Sequence, residues 1–230
     1  MTEVSATVLA VTARDEADRI GATLDALARA FPHSPIVVAD DGSRDATAAL
    51  AESRGAIVVR CPRAGKGQAA TRGCVRALEL GGSDAVYVLV DADLGASATA
   101  VSALATCVSR GDADIAIAVF PRGRPSGLGI ALGFARWALR RATGRTLRAP
   151  LSGQRALSGR ALSGALPFAP RFGLELAMTI DALRRGARIV ELELPLEHRR
   201  GRRTPSGFRH RSRQLSDFVG VYARRAMVRQ

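Results

Sequence analysis

The stretch PIVVADDGSRDATAALAESRGAIVVRC, residues 35–61, decides the fold. It opens on PIVVADD (35–41), an apolar run rich in β-branched residues and too short for a helix, so it reads as a buried strand. SRDATAALAESRG (43–55) begins with Ser43, a candidate N-cap, and closes on Gly55, a candidate C-cap, which predicts a helix. AIVVRC (56–61) is a second buried strand. Strand, helix, strand with continuous apolar strands is the signature of a parallel sheet covered on both faces.

The same alternation runs outward in both directions. SATVLAVTA (5–13) is a β-rich apolar run. DEADRIGATLDALARAF (15–31) repeats Ile20, Leu24, Leu27 and Phe31 at a helical period. GKGQAATRGCVRALELGG (65–82) predicts a helix closed by glycines, and AVYVLVDAD (85–93) a strand. A helix follows over 97–110 and a strand over 112–120. Beyond Phe120 the rhythm changes. PRGRPSGLG (121–129) is a Gly/Pro-rich loop, 130–144 a helix with a basic face, and 149–162 a short turn-rich segment. Residues 172–186 predict a helix, and 187–196 a strand that Pro195 ends. The expected fold class is α/β, a mostly parallel central sheet with helices on both faces and a basic C-terminal tail. Residues 1–197 form the main domain, and 198–230 a basic loop and helix of the same domain.

Composition bounds the function. The chain has 230 residues, of which 47% are apolar, enough for a sizeable core. No run reaches the length of a membrane span. The N-terminus carries an early acid and no basic n-region, so it reads as a first strand and not a signal peptide. The expected location is cytoplasmic, at the inner face of the membrane. Cys61, Cys74 and Cys107 have no metal or disulfide spacing and read as small apolar residues.

Net charge is +13, and Lys66 is the one lysine beside 33 arginines. From His198 to Gln230 ten arginines face one acid, Asp217. The plain reading is a solvated tail. The functional reading is a phosphate-rich partner or an anionic membrane surface. Nucleic acid is not the expected partner, because few aromatic residues interleave with the basic ones.

In such a sheet, ligands bind beyond the carboxyl ends of the strands. That edge gathers three loops: ADDGSRD (39–45), RAGKGQ (63–68) and DADLG (91–95). Asp40 and Asp41 at a strand end exceed what a strand-turn-helix corner requires. A carboxylate there can accept hydrogen bonds from a base or a ribose. The Gly-Lys-Gly at 65–67 is not a Walker A loop, because Arg60 stands where its first glycine should be and Gly67 where Ser or Thr is required. It still offers backbone N–H groups and one mobile ammonium to a phosphate. Asp91 and Asp93, two apart in an extended segment, would point to one side and hold a hard divalent cation, Mg²⁺ or Mn²⁺, beside substrate phosphates. The plain alternative is a solvated turn after a buried strand.

Taken in order, VTARDEADRI, VVADDGSRDAT, RAGKGQA, VLVDADLGA and LSGQRAL resemble family 2 glycosyltransferases of the Rossmann-like GT-A fold. The similarity is greatest to the dolichol-phosphate mannose synthase-like and glucosyl-3-phosphoglycerate synthase-like members, and runs from about residue 5 to 198. The resemblance implies an inverting transfer of a hexose from a UDP- or GDP-linked donor, with Mg²⁺ or Mn²⁺. The acceptor would be anionic: polyprenyl phosphate, with peripheral membrane contact through the basic tail, or a phosphorylated small acid. Carried over by position, Thr12, Ala13, Arg14 and Glu16 frame the nucleotide. Asp40 or Asp41, with Gly42, meets the base. Lys66 and the backbone at Ala92 sit nearby, and Asp91 and Asp93 face metal and diphosphate, with His198 as a further metal ligand. Arg122, Arg124, Ser152, Arg155, Arg199 and Arg200 hold acceptor or phosphate. Asp93 and Glu175 are the expected catalytic acids. Glu175 would be the general base if the acceptor is a hydroxyl. Its other reading is a surface acid pairing with an arginine.

Three departures stand out. The first loop reads TARDE in place of the usual Pro with Asn or Tyr. Gly95 replaces the Gln of DADxQ, and Ala149 replaces an Asp before the SG element. Two other classes compete with this reading. A non-catalytic polyanion or membrane-binding module would not need the DAD pair. A sugar-phosphate nucleotidyltransferase would need a Gly-rich loop that VTARDEAD lacks.

Overall fold

The computed structural model describes residues 6–63, 65–121, 129–170, 173–197, 219–223 and 225. Along the chain come β1 (Thr7–Ala13), α1 (Ile20–Ala30), β2 (Ile36–Asp40), α2 (Thr47–Glu52), β3 (Ile57–Arg60), α3 (Lys66–Gly81) and β4 (Val86–Asp91). There follow α4 (Ser102–Ser109), β5 (Ile115–Val119), α5 (Gly129–Thr143), β6 (Arg155–Ser158), α6 (Gly159–Ala165), α7 (Leu174–Arg184) and β7 (Ile189–Glu193). The strands form one sheet in the order β3-β2-β1-β4-β6-β5-β7.

Side-chain alternation explains why the strands read as continuous apolar runs. In β1, Leu9, Val11 and Ala13 join a core with Ile20, Leu24 and Leu27 of α1. Val8 and Ala10 join the opposite core with Ala70, Cys74 and Ala77 of α3. Val86, Val88 and Val90 of β4 alternate in the same way with Tyr87 and Leu89. Each buried Val or Leu contributes roughly 1.5–3 kcal/mol, so both layers of helices are needed. Burial also pushes the Cys74 thiol up to about 12, in keeping with its apolar role. No helix among the described residues is long and apolar enough to cross a membrane.

The segment 149–162, read as turn-rich, contains a central strand. β6 runs antiparallel between β4 and β5, pairing Tyr87 with Leu157 and Ile115 with Leu157. Four residues are too few to show a period, and only the flanking strands make RALS a strand. An antiparallel strand enters the sheet at the edge where its parallel neighbours end. β6 therefore delivers Ser152, Gly153 and Gln154 beside Asp91.

Three local expectations change. α1 starts at Ile20, because Asp15 takes a left-handed φ of 53° and residues 17–19 form a turn. Ser43 does not cap α2: its hydroxyl turns back to Asp40, while Asp45 accepts the Thr47 N–H at 3.0 Å. The helix expected over 97–110 divides into a 3-10 stretch, Gly95–Val101, and α4.

Outside the two main layers, α5 packs on α7. Residues 219–223 are helical and dock there through Val221. Arg225 donates to Asp181 of α7, with Nε 2.7 Å from Oδ1. The rest of the basic segment 198–230 lies outside the described residues.

Candidate active site

The carboxyl ends of β1, β2 and β4 meet the start of β6 and the N-termini of α3 and α7. Lys66 is the first residue of α3, placed by Gly65 with a φ of 96°. Its Nζ lies 2.8 Å from Asp91 Oδ1 and 2.9 Å from Glu175 Oε1. The one lysine in the chain thus bridges the strand-end carboxylate to an acid on α7, and is not the mobile ammonium expected. Glu175 is only 7% exposed and pairs with Lys66, so the reading as a surface acid beside an arginine falls.

Asp91 is held from every side. Thr12 Oγ1 donates to its Oδ1 at 3.2 Å, and Gln154 Nε2 to its Oδ2 at 2.8 Å. The Asp91 N–H donates in turn to Gln154 Oε1 at 2.9 Å. Burial would raise the Asp91 pKa, but the Lys66 ammonium and these hydrogen bonds prevail and hold it below the usual carboxylate range. Burial works against the Lys66 charge as well. The Asp91 and Glu175 carboxylates overcome it and keep the ammonium above its ordinary value.

Gly153 makes this packing possible. A Cβ there would stand 2.5 Å from Asp91 Oδ2 and 3.1 Å from Lys66 Nζ. The Asp91 carboxylate occupies the space that any other residue would fill.

A second group lies alongside. Asp41 accepts the Gly65 N–H at 2.9 Å, and Arg14 Nη1 lies 3.5 Å from Asp41 Oδ2. The Ala13 carbonyl accepts the Asp41 N–H at 3.0 Å. Asp41 therefore positions the start of α3 and, through it, Lys66. Asp40 accepts the Ser43 hydroxyl and N–H, which commits it to the turn. Gly42 turns that loop with a φ of 68°, and a Cβ there would sit 3.1 Å from the Arg63 nitrogen. Glu16 donates its N–H to Thr47 Oγ1 at 2.8 Å, which ties the first loop to the second.

The DAD turn differs from its expected geometry. β4 ends at Asp91, and Ala92 and Asp93 lie in a turn, so strand alternation does not align the two acids. Thr23 of α1 shapes this turn: its hydroxyl donates to the Ala92 carbonyl at 2.7 Å and accepts the Gly95 N–H at 2.8 Å. Among the described residues, no three His, Cys, Asp or Glu side chains gather into a metal site.

Arg155 does not hold an acceptor phosphate as expected. It is 1% exposed, and its guanidinium donates to the Ser152 and Pro150 carbonyls and to Thr179 Oγ1, each at 2.8 Å. A buried charge needs such partners, and here they fasten the 150–154 loop to α7. Burial pulls its pKa down to about 10, against the pull of Glu175 and Glu191, so it stays charged at neutral pH. Ser152 fares differently: its Oγ is buried and meets no hydrogen-bond partner among the described residues. Arg122, Arg124, His198, Arg199 and Arg200 lie outside the described residues.

The site therefore joins Thr12, Lys66, Asp91 and Glu175 with two residues that pattern alone does not single out, Gly153 and Gln154. Both stand inside LSGQRAL, and the only signal is a polar residue entering a segment that turns out to be a buried strand. Thr23 has a similar signal: a hydroxyl on the apolar face of a helix.

Residues 8–154 match the family described as glycosyl transferase family 2. No protein of curated function matches the sequence directly. Among solved structures, the chain is similar to glucosyl-3-phosphoglycerate synthase from Mycobacterium tuberculosis in complex with Mn²⁺, UDP and glucosyl-3-phosphoglycerate. Identity is 26% over 96% of this chain and 80% of that one, with a TM-score of 0.78. The same synthase with Mg²⁺ and UDP matches at 26% identity over 96% and 79% of the two chains, TM-score 0.77. With Mn²⁺, UDP-glucose and glycerol 3-phosphate it matches at 26% over 96% and 80%, TM-score 0.75.

Proposed function

The chain belongs to glycosyl transferase family 2 and is a glycosyltransferase of the GT-A fold, and from that premise we propose its reaction: inverting transfer of a hexose from UDP to a phosphorylated small acid, assisted by a divalent cation. One observation carries the reading. Lys66 joins Asp91, at the carboxyl edge of the sheet, to Glu175 in the first turn of α7. A UDP-linked donor and a phosphorylated acceptor are preferred because the similar synthase structures hold UDP, UDP-glucose and glycerol 3-phosphate.

The residues fit a hard cation. Asp93 supplies a carboxylate in the turn, and among the described residues Asp91 Oδ2 accepts one hydrogen bond, from Gln154. Mg²⁺ and Mn²⁺ commonly take one or two carboxylates and complete their shell with phosphate oxygens and water. When bound, the cation would neutralise charge on the departing diphosphate.

The chain's own residues do the rest. Asp41 and Gly65 position the start of α3, and Lys66 offers its ammonium where diphosphate charge develops. Gln154 and Thr12 fix the rotamer of Asp91. The acceptor hydroxyl oxygen forms a bond to the sugar C1 while the C1–O bond to the β-phosphate breaks, its electron pair leaving with UDP. The hydroxyl proton passes to the Glu175 carboxylate.

Calorimetry with UDP, GDP and their glucose and mannose conjugates, with and without Mn²⁺, tests the donor. Metal-dependent binding of the uridine compounds alone is the expected outcome, and preference for GDP would reassign the base. Product formation with 3-phosphoglycerate, set against polyprenyl phosphate, tests the acceptor. The anomeric configuration of the product, read by NMR, tests inversion; a retained anomer would remove the base role from Glu175.

Two substitutions separate positioning from contact. Gly153→Ala is expected to push Asp91 and Lys66 apart and weaken UDP binding at least about tenfold, the scale of losing one charge-assisted hydrogen bond. Gln154→Leu keeps the volume and removes both hydrogen bonds to Asp91. A fall in kcat of about tenfold to a hundredfold with UDP affinity nearly unchanged is expected, since the carboxylate stays but loses its orientation. Full activity in Gln154→Leu would show that Thr12 and Lys66 suffice.

A further inference from the structure

Five large apolar side chains stand exposed among the described residues: Val75, Leu80, Ile130, Trp137 and Val219. Three of the five share one face of the molecule. Ile130 is 80% exposed and Trp137 53%, both on α5. Val219 lies one turn before Tyr222 on the C-terminal helical stretch. The Tyr222 ring centroid is 5.1 Å from that of Trp137, and Phe134 lies 5.6 Å from Trp137. The helical period puts Ile130, Trp137 and Arg141 on one stripe, because they are separated by seven and four residues. Arg136 and Arg140 flank it, exposed, and GIALGFARWALRRATGR (129–145) contains no acid. Asp181 of the packed helix α7 is already bound by Arg225.

An exposed aromatic and aliphatic stripe rimmed by arginines has few uses in contact with water alone. A second copy of this chain is a poor occupant, because a two-fold interface would set these arginines against themselves. Nucleic acid would use the charge but not Ile130. A bilayer with anionic headgroups uses both: Trp settles at the headgroup level, and arginine binds phosphate.

We propose that the outer face of α5 is a docking surface for an anionic lipid bilayer, with Trp137 and Ile130 entering the headgroup boundary and Arg140 and Arg141 meeting lipid phosphates. The charged part of the surface, Arg136, Arg140 and Arg141, lies on α5 and not in the basic segment 198–230. It brings the membrane to the helix that packs on α7, the carrier of Glu175. The inference does not depend on which acceptor the enzyme uses.

Trp137 is the sole tryptophan, so its fluorescence reports this face alone. The full chain is mixed with phosphatidylcholine vesicles, with and without phosphatidylglycerol, and with vesicles carrying brominated acyl chains. Emission should move to shorter wavelength and be quenched by bromine only when phosphatidylglycerol is present, and added salt should reverse it. Each arginine near such a surface is worth roughly fivefold in partition, so Arg140→Glu with Arg141→Glu should weaken binding at least about tenfold. UDP affinity should not change, which shows the variant folded. Emission unmoved by anionic vesicles overturns the proposal. So does unchanged vesicle binding by the double variant, which would assign the contact to another basic segment. A shift that follows protein concentration without lipid, with doubled mass in sedimentation, assigns the face to a second copy. A response to an oligonucleotide but not to vesicles assigns it to nucleic acid.

Discussion

With Lys66 replaced by alanine, turnover is expected to fall by about 10²–10³-fold, the range seen when one preorganised electrostatic group is removed from an active site. The same change lowers stability, because the Asp91 and Glu175 carboxylates then share a pocket with no cation between them. Breaking a fully buried pair costs roughly 3–5 kcal/mol. Here the Lys66 and Asp91 side chains are 28% and 29% exposed, so water shares the load and about 1–3 kcal/mol is expected. Urea unfolding should show a lower midpoint at an unchanged slope. A variant with wild-type turnover and midpoint would remove Lys66 from the centre of the site.

The pH dependence rests on the same pair. The folded pKa of Lys66 is above its unfolded value, so its contribution is present below about pH 10 and lost as pH rises through the folded value. Asp91 is depressed, so its contribution is present above about pH 4 and lost as pH falls through the folded value. Melting temperature should be insensitive to this pair between those limits. In Lys66→Ala the largest force lowering the Asp91 pKa is gone and burial raises it. The loss of stability that this group causes on acidification should then disappear, and lowering the pH through the raised Asp91 value should raise the melting temperature of the variant.

Asp93→Asn is expected to have the second large effect. It keeps the size and the turn and removes the charge that a hard cation requires. Mn²⁺-dependent UDP binding should weaken at least about a hundredfold, beyond the tenfold to hundredfold seen when only an outer partner of a metal ligand is lost. UDP binding without metal should change little, because Lys66 and Asp91 remain. Calorimetry in the two conditions reads the difference directly. Equal metal dependence in wild type and variant would place the cation on other ligands and leave Asp93 as a turn residue.

Much of this molecule is legible in the chain itself. Strands β1 to β5 and β7, and helices α1 to α3, α5 and α7, follow from short apolar runs, helical spacing and closing glycines. The loops at 39–45, 63–68 and 91–95 can be placed on one edge because consecutive parallel strands must end there. Other features are not legible. β6 has four residues and no period of its own, and its place comes from hydrogen bonds offered by β4 and β5. Asp91 and Asp93 look aligned only if the strand is extended two residues too far. Arg155 looks like a phosphate ligand, since a sequence shows charge but not where its donors go. Gln154 and Gly153 gain their roles from the direction of β6.

The sequence by itself determined the class of sheet, the edge where chemistry occurs and the acids available there. These are local properties, carried by side-chain period and turn residues. Tertiary structure alone decided which charges meet. Lys66 and Glu175 are 109 positions apart, and Lys66 and Asp91 sit on different elements. Their meeting depends on α3, β4 and α7 converging, and on an antiparallel strand that brings a glycine to a place where a side chain would not fit.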